Sequence, residues 1–478
     1  MDTANSSAWQ NRLSPLVHLT NNWLSLVGVL LVTTAGIFWL FLLPRTLQGH
    51  PSDPYLGILA FLILPAFFFL GLLIIPAGIW RKRSADKRAG RYPENFPPLT
   101  LQNIHFRRLL IFVVVTTGAN LVIASHVTYG AVTYMESVTF CGQACHTVME
   151  PEFTAYQNSP HSRVECVKCH IGPGASWFVR SKLDGVYQVF AVAFNIYPRP
   201  IPTPVHSLRP ARETCEACHW PQKYGQERLR VITKFGDDEK NSRTRSVLLM
   251  KIGGGITGAG IHGAHFGEGV RILYAHSDER RQVIPWVEHT NGNQATIYKA
   301  KDHPADGPGT LPVREMDCMD CHTRPSHSFD MPERAVNEAM AAGRISPALP
   351  GIKKLAVEIL RQPYPNRQAS ATEIPRAVAA FFEKNHPSLY QEKRADIDRA
   401  GRALVAILHR NIFPEMKIGW GTYANNIGHE DFPGCFRCHD DQHSSSTQKK
   451  ITQDCNACHS LLAMDEAAPK ILSDLGVE

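Results

Sequence analysis

The basic residues of this chain never gather into a stretch of interleaved basic and aromatic side chains, although Lys and Arg number 50 against 43 Asp and Glu. That absence excludes the nucleic-acid binding that a pI near 8.8 would otherwise suggest. No cysteine is left over either: all 12 fall into local pairs, so a lone reactive thiol is excluded. The first apolar run lacks a clear small-residue cleavage site and is too long for a signal-peptide core, which leaves it as a retained anchor.

What is present starts with those cysteines. The pairs are Cys141/Cys145, Cys166/Cys169, Cys215/Cys218, Cys318/Cys321, Cys435/Cys438 and Cys455/Cys458, and the second member of each is followed directly by histidine. Those histidines are His146, His170, His219, His322, His439 and His459. Five motifs are C-x-x-C-H and the first, CGQACH, has one more residue. Two thiols at this spacing reach the two vinyl groups of one porphyrin, and the adjacent imidazole then lies against the iron as its proximal ligand. Zinc knuckles or a disulfide framework would leave the six histidines without a reason to be there. The motifs predict six covalently bound haem c groups, a hexahaem chain.

Three uncharged apolar runs are long enough to span a bilayer: Trp23 to Leu43, Leu56 to Trp80 and Leu109 to Val132. Between the second and third lie Arg81, Lys82, Arg83, Lys87, Arg88, Arg91, Arg107 and Arg108, whereas residues 44 to 55 carry only Arg45. Because Lys and Arg accumulate on the cytoplasmic side, this predicts a cytoplasmic N-terminus and a periplasmic location for everything beyond about residue 133. That side is where c-type haem is attached, so the expected bilayer is a bacterial cytoplasmic membrane. A b-type haem within the spans would need axial histidines there, and only His126 has a suitable position, where packing between helices is the competing use.

The fold class that follows is a membrane-anchored multihaem cytochrome with three transmembrane helices and a periplasmic region packed around haem, with little regular structure of its own. Residues 1–132 form the membrane region and 133–222 carry motifs one to three. Residues 223–312 read as a β-rich insertion, because RLRVIT, RSVLLMKI, VRILYAH, RQVIPWV and ATIYKA are β-branched runs divided by Gly, Asp and Asn. Residues 313–478 carry motifs four to six around a helical segment, 331–412, in which PERAVNEAM, KKLAVEIL, IPRAVAAFF and ADIDRAGRALVAIL have helical apolar spacing. The motif spacing implies two haem clusters separated by the insertion.

From Thr139 the residues TFCGQACHTVMEPEFTAYQNSPHSRVECVKCHIGPG, and further on PVHSLRPARETCEACHW, resemble the NapC/NirT family of membrane-anchored quinol dehydrogenases. The later segments GIHGAH, MDCMDCHTRPSH, NIGHEDFPGCFRCHDDQH and DCNACH resemble longer members from bacteria that respire with metals or other external acceptors. The resemblance implies electron flow from the membrane quinol pool, menaquinol being the substrate class, to a periplasmic cytochrome or reductase. Three spans, six haems and the β-rich insertion depart from the small family members. They leave open whether the chain works alone or in a homo- or hetero-oligomer. Met149, three residues after His146, resembles the methionine that the family places on the haem nearest the membrane, and packing is its other use. Lys182 and Asp184 in FVRSKLDG resemble the lysine and acid of the family's quinol site, with a solvated ion pair as the alternative.

Of the 22 histidines, sixteen remain after the proximal six. His161, His327, His429 and His443 lie close in sequence to haem motifs, and His262 or His265 could come from the insertion, which makes five distal ligands for five haems. The reading is a quinol-oxidising electron conduit. Its rivals are a non-catalytic anchor and relay subunit of a larger respiratory complex, and a terminal multihaem reductase with an open iron site, which the surplus of histidines disfavours.

Overall fold

A computed structural model describes residues 14–15, 19–20, 22–47, 63–93, 104–144, 146–205, 208–220, 227–254, 259–303 and 307–477. These divide into two compact units, Met1–Ser137 and Val138–Glu478.

The first unit contains three long helices: α1 (Trp23–Leu47), α2 (Leu64–Arg88) and α3 (Ile104–Met135). Among the described residues α2 is long and apolar enough to cross a membrane. The start expected for the second span, Leu56, lies outside them. Helix α2 tolerates Pro76 in its interior, as spanning helices do when neighbours compensate. Small residues let α1 and α2 approach closely: a Cβ on Gly28 would stand 2.8 Å from the Gly71 carbonyl, and one on Gly78 2.5 Å from Ser25 Oγ. The Ser25 hydroxyl donates across the same interface to the Ile75 carbonyl at 3.1 Å.

The second unit begins with α4 (His146–Gln157) and α5 (Ala175–Ala193). A β-rich region follows, with β1 (Arg228–Phe235), β2 (Arg243–Met250), α6 (Gly260–Phe266), β3 (Val270–Ala275), β4 (Trp286–Asn291), β5 (Gln294–Lys299) and β6 (Val313–Glu315). Four of the five expected runs become strands close to where periodicity put them. In RQVIPWV only Trp286 and Val287 pair, because Pro285 has no N–H to give to a ladder. Strands β5-β4-β3-β6 make an antiparallel sheet with Tyr274 and Ala275 fully buried.

The other sheet, β1-β2-β7, takes its edge strand β7 (His459–Glu466) from the C-terminal region, so the β-rich region is not closed on itself. Between the sheets in sequence lie α7 (Pro332–Ala341), α8 (Ile352–Leu360), α9 (Arg367–Asn385), α10 (Pro387–Glu392) and α11 (Arg394–Asn411). Their apolar faces form the largest side-chain core among the described residues, in which Val336, Ile345, Leu349, Ile352, Ile374, Val378, Phe382 and Leu404 are fully buried.

Candidate functional site

The cysteine motifs sit on single turns: Cys166–His170, Cys318–Cys321 and Cys455–Cys458 are short helices, and Ala211–Cys215 leads into the third motif. A one-turn helix puts both thiols and the following imidazole on adjoining sides of the backbone. Caps hold some of them. Asp317 and Asp320 form a reciprocal capping box around the fourth motif, and Asp454 accepts from the Asn456 N–H in the sixth.

Consecutive motifs meet in sequence order. The side chains of Cys141 and Cys166 lie close enough to perturb each other, as do those of Cys215 and Cys318. Cys169 lies within electrostatic reach of Cys218, Cys321 of Cys435, and Cys435 of Cys458. The expected separation into two clusters is therefore corrected. The β-rich insertion loops out and returns, so that the turn at Cys318–Cys321 packs against Ala211–Cys215.

Five motif histidines each face one histidine from elsewhere. Ring centres are 5.9 Å apart for His219 and His161, 6.2 Å for His170 and His327, 6.4 Å for His322 and His262, 5.9 Å for His439 and His265, and 6.4 Å for His459 and His429. Two imidazoles binding one metal ion from opposite sides, with metal–nitrogen bonds of about 2 Å, have ring centres about 6 Å apart. The separations therefore fit an iron between each pair, and the exposed rings of His170, His219 and His322 fit side chains that a porphyrin would cover.

The hydrogen bonds of these rings point the same way. Nδ1 of His327 faces the Glu152 carbonyl at 2.9 Å, Nδ1 of His265 the Ile261 carbonyl at 2.7 Å, Nδ1 of His439 the Thr452 carbonyl at 2.9 Å, and Nδ1 of His161 the Pro325 carbonyl at 3.4 Å. A proton donated from Nδ1 fixes the tautomer whose Nε2 carries a lone pair for a metal. Desolvation holds His262, His265 and His327 below the ordinary imidazole pKa, which favours the neutral form that ligates.

His443 departs from the expectation. It is buried, its Nδ1 is 2.9 Å from an Asp440 carboxylate oxygen and its Nε2 is 2.7 Å from the Ile284 carbonyl, so neither nitrogen is free for iron. The second histidine of GIHGAH has instead the placement that a fifth distal ligand would need. His262 and His265, three residues apart in α6, both face motif histidines. The i, i+3 spacing on one helical face was the signal for using both.

The distal rings are held by long-range contacts. Arg324 binds the Glu152 carboxylate at 2.6 Å and lies 3.9 Å from the Tyr423 ring centre, which fixes the chain turn that carries His327 and the Pro325 carbonyl. Sequence reading missed Asp320, inside the fourth motif. Its side chain is 2% exposed and accepts from Tyr274 at 2.6 Å, with Arg281 at 3.2 Å and Arg314 at 3.3 Å. Strands β3 and β6 thereby clamp the turn that carries Cys318 and Cys321.

At the first motif, Cys145 and the His146 side chain lie outside the described residues. Met149 is half-buried in α4, on the helical face of residue 146. Glu150 pairs with Arg367 at 3.0 Å. On α5, Lys182 lies over the Phe178 ring at 4.7 Å and Asp184 is exposed. Residues two apart on a helix do not face each other, which excludes the ion pair between them.

Residues 104–200 match the NapC/NirT cytochrome c family, N-terminal region. The chain is 40% identical over 448 residues to the cytochrome c-type protein ImcH of Geobacter sulfurreducens, covering 92% of this chain and 88% of that protein. No solved structure matches.

Proposed function

This chain belongs to the NapC/NirT cytochrome c family, membrane-anchored c-type cytochromes of electron transport, and on that premise we propose that it oxidises quinol at the outer face of the cytoplasmic membrane and delivers electrons to a periplasmic acceptor through six haem c groups. When bound, the haems supply one-electron carriers, and the protein supplies their ligands, order and electrostatic surroundings.

We assign three spans, with the N-terminus cytoplasmic and residues beyond about 133 periplasmic. The division into 1–132, 133–222, 223–312 and 313–478 is part of the same reading. The twelve cysteines attach the porphyrins; His146, His170, His219, His322, His439 and His459 are the proximal ligands. His161, His327, His262, His265 and His429 complete the second to sixth sites. Met149 is assigned to the first, where a thioether raises the potential at the point of electron entry. The motif nearest the spans in sequence, at Cys141, is the entry, and the last, at Cys455, is the exit. The five facing histidine pairs carry this reading: with every site after the first closed by an imidazole on each side, charge can pass along the series but no open iron is left for a terminal reductase.

Oxidising a quinol to a quinone releases two electrons and two protons. Lys182 is assigned to donate a hydrogen bond to a quinol oxygen, and the Asp184 carboxylate to accept the protons one at a time and pass them to periplasmic water. Mixing the reduced menaquinol analogue with protein in proteoliposomes is expected to reduce the haems rapidly, and Lys182→Ala and Asp184→Ala are expected to slow that phase at least tenfold. If dithionite reduces the haems while the quinol does not, the chain is a relay subunit fed by another complex.

A further inference from the structure

Helix α5 carries an apolar stripe that is exposed among the described residues of its own unit. Leu183 is 67% exposed, Tyr187 65%, Phe190 56% and Phe194, just past the helix end, 70%, with Val179 and Val186 in the same row. Their spacing, 179, 183, 186, 187, 190 and 194, is that of one helical face. The opposite face is engaged: Ala191 is buried, and Val192 packs against the cluster of Val148, Phe413 and Met416. A continuous row of large exposed apolar side chains on a well-packed domain marks a surface that meets another phase or molecule.

We propose that α5 lies in the plane of the outer leaflet and inserts this stripe among the lipids, as a second membrane contact besides the spans. The borders of the stripe select lipid. Arg180 lies back over the Trp177 ring at 5.3 Å and Lys182 over the Phe178 ring at 4.7 Å, so each aliphatic stem follows apolar surface while its charge is carried to the edge. Asp184 is the sole acid among the residues of the helix, against two basic residues, a balance that complements anionic headgroups. Trp177 and Tyr187 add rings of the kind that settle at the level of the headgroups. The same chain carries α2, a helix long and apolar enough to cross a membrane. With 19 residues, α5 would run about 28 Å along the surface.

The inference also deepens the proposed quinol site, on whose assignment this one step rests. Lys182 and Asp184 border the stripe, so docking of α5 sets both at headgroup depth, where the quinol ring of a lipid-soluble carrier resides.

The test uses the full-length, haem-loaded protein in nanodiscs containing phosphatidylglycerol and a trace of lipid with a diazirine near the glycerol, followed by irradiation and peptide mass spectrometry. Adducts on Leu183, Val186, Tyr187 and Phe190 are expected, with α2 as the internal positive control. Labelling of α2 with none on α5 overturns the proposal, and so do cross-linked peptides that join two copies through α5, which would make the occupant a second chain. The double variant Leu183→Asp/Phe190→Asp is expected to lose at least tenfold of the α5 adducts while its haem spectrum stays unchanged; retained adducts would overturn the lipid contact. Adducts in the wild-type protein together with unchanged quinol-driven reduction of Lys182→Ala would keep the membrane contact and reject the quinol assignment.

Discussion

The helical segment from Pro332 to Asn411 and the motif-bearing segments around it solve the problem of a core in different ways. In the former, side chains fill the interior by themselves, and helices α7, α8, α9 and α11 each contribute fully buried residues. In the latter, single-turn helices carry cysteines and histidines that remain half-buried or exposed, with paired rings about 6 Å apart. One region is stabilised by burying its own apolar surface, and the other is arranged around a group that supplies the surface. The lesson is that scarcity of regular structure in the second region reflects where its core comes from.

Depriving the chain of haem should separate the two most strongly. Protein made without haem attachment is expected to show fast amide exchange over residues 140–220 and 430–460. Residues 332–411 should retain protection, because that core needs no cofactor. Uniform loss of protection would mean that the helical segment also depends on haem.

A smaller effect is expected from within the helical core. Phe382→Ala empties a fully buried site and should cost about 3–5 kcal/mol in denaturant unfolding monitored at that segment. The haem absorption should be unaltered, since the cluster around Phe382 is built from side chains. A spectral change would show that the regions are coupled more tightly than their packing implies.

The narrowest effect concerns single irons. His327→Ala should convert one haem of the series to a high-spin spectrum. His443→Ala should leave all spin states alone and only loosen the turn that Asp440 and the Ile284 carbonyl hold. A high-spin signal from His443→Ala would return that residue to the ligand set.

Much of this was legible because it is local. Cysteine spacing with an adjacent histidine is a property of one helical turn, and the strands at Arg228–Phe235 and Arg243–Met250 follow from β-branched runs. The helices of Pro332–Asn411 follow from three-and-four spacing. The sequence offered His262 and His265 as alternatives, whereas each faces a motif histidine of its own. His443 failed as a candidate because proximity in sequence to a motif says nothing about what its two nitrogens meet.

The sequence by itself determined the attachment chemistry, the apolar runs and the family, since each is written in neighbouring residues. Tertiary structure alone decided that His161 faces His219 while His327 returns to His170, and that motifs three and four meet despite the long insertion between them. It also decided that the apolar row of α5 is exposed among the described residues of its unit. Each of these is a contact between residues remote along the chain, and such contacts are fixed by how whole elements pack rather than by any local preference.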